Sequence, residues 1–215
     1  MATSHSLTRP QRGGQDTPVR PLPEVLPMFL HDPAVRAAFP DLHVGLLLLC
    51  RAHLLEPEIL GAGSEPDLSA PHPLDRLCSA LATEAGLAAS VFDMDRIQGT
   101  LHVRFASGDE SFEEIGGDLS RPLAGEVIFV DTAGRVHARN WAARRSPRSV
   151  LTRGVRTVLV VVQAQRPDAG PAVRGFLARL AAHLKAAGGA VETLDLGFER
   201  GVRPWPAAQR QEAAQ

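Results

Sequence analysis

The sequence predicts an α/β (α+β) protein with a mixed sheet flanked by a few helices, and three stretches carry this prediction. Residues 43–50 (HVGLLLLC) and 157–164 (TVLVVVQA) are continuous apolar runs of strand length, which is typical of strands covered on both faces. Residues 170–189 instead place apolar side chains at helical spacing and end in Gly188 and Gly189. Strands and helices therefore both occur, and a helix can cover the sheet.

The helices and strands can be predicted one after another along the chain. The first helix is predicted to begin at Pro33, with Asp32 as its N-cap. A second, amphipathic helix is predicted over residues 73–86, where leucines recur at helical spacing. Between residues 101 and 163 the period changes to that of strands separated by Gly-rich turns, which predicts one long sheet. Residues 190–197 are predicted to form the last strand.

Length and composition bound the class of protein. A chain of 215 residues that is 44% hydrophobic is long enough for one substantial domain, predicted over residues 23–199. Residues 1–22 and 200–215 are polar and are predicted to be tails.

The net charge is −1, so attraction to RNA or to a membrane would need a local patch. The start of the chain lacks a signal-peptide pattern, and no apolar run approaches the roughly 18 residues of a membrane helix, which predicts a cytoplasmic protein with no membrane partner.

Metal and cofactor sites are not indicated. Cys50 and Cys78 lie far apart, without the CxxC spacing of a zinc site. Asp93 and Asp95 have no third ligand nearby, so Asp93 is predicted to be a turn or cap residue. No Gly-rich phosphate loop stands between a strand and a helix. We therefore predict neither a metal nor a cofactor.

The end of a predicted hairpin is the clearest candidate for a binding site. The second strand of this hairpin runs into Asn140, the one asparagine of the chain, and Trp141. Asparagine offers two donors and an acceptor, and tryptophan offers an indole donor and a flat face for stacking. The two residues could line a pocket that reads an amino acid or a terminal base. The alternative is that Asn140 forms a turn and Trp141 fills the edge of the core.

Arginines cluster directly after this hairpin. Arg144, Arg145 and Arg148 lie close together, and the acids nearby in sequence are only Glu126 and Asp131. The stretch is locally basic although the whole chain is nearly neutral, which suits contact with RNA phosphates. The alternative is an ordinary solvated surface.

Two residues are weak candidates for catalysis. Glu126 could act as a general base toward a water that attacks an ester, and His137 could transfer protons near neutral pH. The alternative for each is structural, because acids at strand edges usually pair with arginines and a lone strand histidine is more often part of the packing. Spacing alone assigns no catalytic triad.

Four segments occur in an order that resembles a known family. They read VFDMDRI at 91–97, LAGEVIFVD at 123–131, RVHARNWAARR at 135–145 and LTRGVRTVLVVV at 151–162. Over roughly residues 30–165 the chain resembles the tRNA-binding B3/B4 domain of the bacterial phenylalanyl-tRNA synthetase β subunit, in its free-standing form. The resemblance implies an α/β domain that, within the synthetase, hydrolyses the ester bond of tyrosine mistakenly attached to the phenylalanine tRNA.

The resemblance also assigns candidate substrate-binding residues. Ser90 occupies the position of a histidine that lines the editing pocket of the synthetase. Many free-standing relatives carry an Arg-x-Trp-Asn-x-Arg-type sequence, and Arg139, Asn140, Trp141 and Arg144 occupy that zone here.

What the resemblance implies is a free-standing protein that binds tRNA or aminoacyl-tRNA. In one form of this hypothesis it is an aminoacyl-tRNA deacylase that hydrolyses misacylated tRNA. The alternative is a non-catalytic binding or protein-interaction module that kept the fold and lost the editing chemistry. The sequence predicts no oligomeric state.

Overall fold

The computed structural model describes residues 29–55, 71–152 and 154–195. Within this part of the chain the helices and strands are β1 (Phe29–His31), α1 (Pro33–Ala38), β2 (Leu42–Cys50), α2 (Pro73–Glu84), β3 (Ala88–Asp93), β4 (Leu101–Phe105), β5 (Phe112–Glu113), β6 (Leu119–Ser120), β7 (Val127–Val130), β8 (Val136–Arg139), β9 (Arg144–Arg145), β10 (Thr157–Gln165), α3 (Ala169–Ala186) and β11 (Ala190–Asp195).

A four-stranded antiparallel sheet forms the central layer, with the strand order β11-β2-β10-β3. Its two middle strands pair along their whole length, and Cys50 lies opposite Thr157. Alternate side chains of a strand point to opposite faces, and in β2 both faces are covered. Leu47 packs with helices α2 and α3, whereas Leu46 packs with the second sheet. This double burial explains the continuous apolar run in the sequence.

A seven-stranded mixed sheet packs against the central layer. Its strand order is β1-β4-β7-β8-β5-β6, and β9 extends the sheet by pairing with β8. The pairs β1–β4 and β5–β8 are parallel. Phe129 lies opposite Ala138 while Val130 lies opposite Val136, so His137 is the extra residue of a β-bulge in β8.

The molecule is thus built in three layers: helices α2 and α3, the four-stranded sheet and the seven-stranded sheet. Helix α3 approaches the central sheet closely at Gly45, where a Cβ atom would lie 2.7 Å from Val173. A small cluster around Phe112 and Ile128 covers part of the outer face of the seven-stranded sheet. The two sheets meet through aromatic rings, and Phe92 of β3 stacks on Phe129 of β7 at a centroid distance of 5.4 Å.

The predicted fold class is confirmed, since mixed sheets are flanked by a few helices. The prediction of one long sheet is wrong, because β3 and β10 pair with each other and not with the strands that lie between them in sequence. The predicted N-cap is confirmed, as the Asp32 carboxylate accepts a hydrogen bond of 2.7 Å from the Ala34 amide. The predicted tails, residues 1–22 and 200–215, lie outside the described residues. Among the residues described, no helix combines the length and apolar character needed to cross a membrane.

Candidate functional site

The loop between β8 and β9 has an unusual backbone. Asn140, Trp141 and Ala142 are consecutive residues with φ of 49°, 55° and 64°. This left-handed region disfavours residues with a side chain by about 1 kcal/mol or more each. The Ala143 amide closes the turn by donating to the Asn140 carbonyl at 3.0 Å. Strain of this kind persists only where surrounding contacts fix the backbone, and it is frequent at functional sites.

Packing of Trp141 supplies part of that support. Its indole meets the ring of Phe39 edge-on, with centroids 4.8 Å apart, and packs at the margin of the core between the two sheets. The side chain remains partly exposed. The tryptophan therefore both closes the edge of the core, as one sequence interpretation expected, and presents a surface outward, as the other expected.

The exposed part of Trp141 borders an open cleft of about 380 Å³ between the two sheets. The opposite wall comes from the turn before β3 and from the end of β10. The residues that line the cleft are Gly86, Leu87, Ala88, Trp141, Gln163, Ala164, Gln165 and Arg166.

The chemistry of the cleft is that of an aromatic face, two amides and one cation. The Arg166 guanidinium lies over Gly86 and forms a 3.3 Å ion pair with the exposed Asp168. Gln163 is buried, and its side-chain nitrogen lies 3.5 Å from His31 Nε2. Burial, together with the charge of Arg36, lowers the pKa of His31 to about 3. The cleft wall contains no carboxylate, histidine, cysteine or hydroxyl side chain among the described residues.

Two of the predicted substrate-binding residues, Ser90 and Asn140, lie near the cleft without lining it, whereas Arg144 pairs with Glu114 on the outer face of the seven-stranded sheet. Ser90 is partly buried on β3 opposite Val161, two residues beyond Ala88 and on the same face of the strand. Asn140 is exposed at the loop tip. Arg144 follows the loop on β9, and its side chain is 53% exposed.

Arg139 lies on the outer face of the seven-stranded sheet, away from the cleft. It is 7% exposed and donates to both carboxylate oxygens of Glu126, at 2.8 and 2.7 Å. Its guanidinium also lies 5.6 Å from the ring centroid of Phe112. Two parallel charge-assisted bonds make this a strong structural pair. Arg139 therefore fixes β8 to the start of β7.

Each arginine of the predicted RNA-binding cluster is paired with a carboxylate from another part of the chain. Arg144 donates to Glu114 at 2.6 Å and Arg148 donates to Glu113 at 2.5 Å. These acids lie on β5 and just after it, at least 30 positions away along the chain, so a count of charges close to the arginines in sequence does not include them.

Arg145 has a different environment from the other two. It donates to Asp75 on α2 at 2.6 Å and to the Val91 carbonyl on β3 at 3.1 Å. Its side chain is 27% exposed and that of Asp75 is 5% exposed. This arginine ties the hairpin to the central layer.

The segment from Trp141 to Arg148 runs alongside β3, the edge strand of the central sheet. Trp141 stands by Ala88 at one end, and the Pro147 carbonyl accepts a 3.2 Å hydrogen bond from Arg96 just beyond the other end. With a rise of about 3.3 Å per residue, β3 extends about 17 Å from the cleft. The backbone of this segment therefore runs out from the cleft, whereas the side chains of Arg144 and Arg148 reach Glu114 and Glu113 beside β5.

The two catalytic candidates are both held in internal contacts. The Arg139 pair lowers the pKa of Glu126 and occupies both of its oxygens. His137 is fully buried, and its Nε2 lies 3.2 Å from Asp131 Oδ2. Burial lowers the pKa of His137, and Asp131 opposes that shift only in part. Asp93 caps the turn at 94–96, as predicted, by accepting from the Asp95 amide.

Some cleft residues were not found by sequence reasoning. Gln163 and Arg166 received no role, although Gln163 follows five consecutive apolar residues of β10. A polar residue placed at the end of such a run could have signalled a site. Among the described residues, no group of three or more His, Cys, Asp or Glu side chains is arranged to hold a metal ion.

Comparisons with known proteins show a likeness in structure. No family model matches the chain, and no curated protein matches it. The chain is similar to the crystal structure of an N-terminal fragment of the phenylalanyl-tRNA synthetase beta subunit from Pyrococcus horikoshii, with a TM-score of 0.56 and 14% identity. The match covers 79% of this chain and 54% of the fragment, so the chain spans about half the length of that structure. At this identity the likeness shows a shared fold, and assignment to the B3/B4 family stays a prediction.

Proposed function

We propose that this protein binds tRNA or aminoacyl-tRNA and holds the end of the molecule in the cleft beside Trp141. The observation that carries the proposal is the position of this indole, which a left-handed loop presents at an open cleft that also contains Arg166. Every base has a face for stacking, and stacking on an aromatic side chain contributes about 1–3 kcal/mol per base. The guanidinium and the two glutamine amides supply donors for phosphate, ribose or an aminoacyl group.

Two half-exposed arginines beyond the Trp141 loop support the same proposal. Arg144 and Arg148 are about half exposed, so each retains N–H groups that face solvent. We assign phosphate contacts to these two arginines and a tethering role to Arg145, whose Nη1 donates to two groups inside the fold. The similarity to a fragment of a tRNA synthetase subunit agrees with an RNA partner. Such a role belongs to the cytoplasm, where tRNA is charged.

Binding without hydrolysis is the form of this function that the cleft favours. Ester hydrolysis needs a group that activates water within hydrogen-bond reach of the ester. The cleft wall offers none among its described side chains, and Glu126 and His137 are engaged elsewhere. We therefore place deacylase activity second to binding.

A protein-interaction role is the other candidate, and one observation favours it. Ile115, Leu119 and Leu123 are 82%, 70% and 75% exposed and lie close together in sequence around the edge strand β6. Exposed apolar side chains grouped at a sheet edge are common at protein interfaces.

Fluorescence of Trp141 tests the main proposal. A Trp205→Phe substitution leaves Trp141 as the only tryptophan, so its emission reports on the cleft. We expect aminoacyl-tRNA to quench this emission at low salt, and tRNA lacking its 3′-terminal nucleotides to quench it much less. Unchanged emission with all tRNA species, combined with no retention of labelled tRNA, would reject the proposal in favour of the protein-interaction role.

A further inference from the structure

Two adjacent acids form ion pairs with the two half-exposed arginines. Glu113 and Glu114 lie at the end of β5, where they pair with Arg148 at 2.5 Å and Arg144 at 2.6 Å. A hydrogen bond from the Ser120 hydroxyl, together with the Arg144 contact, lowers the pKa of Glu114 and keeps it ionised. Both arginines are thus covered by one short segment of the chain.

Few backbone pairs attach that segment to the sheet, and Arg139 adds a 3.2 Å hydrogen bond to Ser120. β5 pairs with β8 through a single residue pair, Phe112 with Val136, and its hairpin with β6 has two residue pairs. Phe112 is fully buried and anchors one end. Beyond it the chain turns through Gly116 and Gly117, where a Cβ atom would meet nothing within 4 Å. The acids therefore lie between a fixed ring and an open turn.

The other arginine pairs of this region differ in strength. Arg139 is buried against both oxygens of Glu126, and Arg145 is held by the buried Asp75. In contrast, the side chains of Arg144 and Arg148 are 53% and 47% exposed. Exposed pairs contribute little net stability because water competes for both partners. These two pairs can exchange partners, whereas the buried pairs cannot do so without loss of packing.

We infer that Glu113 and Glu114 act as internal anions that keep a phosphate-binding surface covered until an anionic polymer displaces them. The partner chemistry is a phosphodiester backbone, because its repeated anions match two half-exposed guanidiniums that lie beside the same short segment. The identification of that polymer as RNA rests on the proposed function. In this arrangement the β5–β6 hairpin sets how tightly and how selectively the surface binds anions.

Neutral replacements of the two acids test the inference. Glu113→Gln, Glu114→Gln and the double variant are titrated with labelled tRNA and with inorganic polyphosphate at several salt concentrations. Glutamine keeps an oxygen that can accept from Ser120, so the hairpin is retained. Glu192→Gln is the matched control, since it removes one charge from exposed β11 at the far edge of the other sheet.

We expect the double variant to bind tRNA about five- to tenfold more tightly at low salt. We also expect the slope of log affinity against log salt to steepen by up to about 0.7 for each acid removed. The gain should vanish when Arg144→Ala and Arg148→Ala are added to the same chain. Enhanced binding of polyphosphate without any tRNA binding would support the internal anions while rejecting RNA as the partner.

Two results would overturn the inference. If wild type binds tRNA and the double variant gains no more than Glu192→Gln, the acids do not compete and the proposed function stands without them. If neither protein binds tRNA or polyphosphate, both the covered surface and the RNA-binding proposal fail.

Discussion

Arg145 and Asp75 form an ion pair of 2.6 Å that joins the seven-stranded sheet to the first turn of α2. Arg145→Ala would leave the buried Asp75 carboxylate without its partner, and we expect a loss of about 3 kcal/mol in the free energy of unfolding. Replacing both residues, as Arg145→Met with Asp75→Leu, should restore most of that stability. Urea unfolding of wild type and these two variants checks this, and equal losses for the single and double variants would contradict it.

Glycine at the strained loop should stabilise the protein. Ala142 has a φ of 64°, which glycine adopts without penalty, so Ala142→Gly is expected to raise the free energy of unfolding by about 0.5–1 kcal/mol. Ala143 is the matched control, because its φ is not positive and Ala143→Gly should destabilise by a similar amount. Thermal unfolding of both variants decides the sign. A loss of stability in Ala142→Gly would mean that its methyl contact with the core outweighs the strain.

Truncation of Trp141 should affect both binding and stability. Trp141→Ala removes the contact with Phe39, and because the indole is only partly buried we expect a loss of about 2–3 kcal/mol, below that of a fully buried tryptophan. Trp141→Phe keeps an aromatic face and should retain most of the tRNA affinity. Affinity is compared at a temperature at which both variants are folded. Full affinity in Trp141→Ala would assign this residue to packing alone.

Acid should destabilise the fold through two histidines. The pKa values of His31 and His137 are lower in the folded protein than the ordinary value of 6.5, that of His31 lying at about 3. As the pH falls, these histidines therefore take up protons in the unfolded chain before they do so in the folded protein. The stability that depends on the neutral histidines is complete above pH 6.5 and decreases as the pH falls toward their pKa values in the folded protein. Each histidine should contribute a slope of about 1.4 kcal/mol per pH unit within that window.

His31→Gln tests the larger of these two shifts. The variant should show a shallower decline of unfolding free energy between pH 6.5 and 4 than wild type. His53→Gln, at an exposed position, serves as the control. Parallel curves for wild type and His31→Gln would remove His31 from the acid response.

Hydrolysis of tyrosyl-tRNA for phenylalanine should be slow or absent. The resemblance in sequence predicts that Ser90 takes the place of a histidine of the editing domain, and the cleft wall supplies no acid–base side chain among its described residues. Release of labelled tyrosine, measured against a panel of other misacylated tRNAs, checks this. Rapid and selective release of tyrosine would show that the cleft performs the chemistry which that domain performs in the synthetase.

The sequence predicted the helices and strands better than it predicted which strands pair with each other. The apolar run of β2 identified a strand because both of its faces are buried, and that pattern requires no knowledge of the neighbouring strands. The division into two sheets was not predictable in the same way. It depends on β10 returning to β2 and β3 after the strands of the other sheet, and no local pattern records such a pairing.

The same limit applies to the candidate site. Trp141 was predicted to be a binding residue because a large aromatic side chain at the end of a hairpin is by itself a local signal of a binding site. The opposite wall at Gly86 and Arg166 was missed, since small residues and a lone arginine carry no local signal. The arginines that follow the hairpin are adjacent in sequence, but Arg144 reaches Glu114 beside β5 while Arg145 reaches Asp75 on α2. Their use in RNA binding stays a prediction.

The position of β2 between β10 and β11 has a consequence for synthesis of the chain. Both neighbours of this strand follow it by more than a hundred residues, so closing that loop delays folding of the central layer. Meanwhile the hairpins that join β7, β8 and β9 need only nearby residues. During translation, therefore, the leucine-rich stretch from Leu42 to Cys50 has no partner strand while most of the seven-stranded sheet is synthesised. It is the segment on which a chaperone would act and from which aggregation would begin.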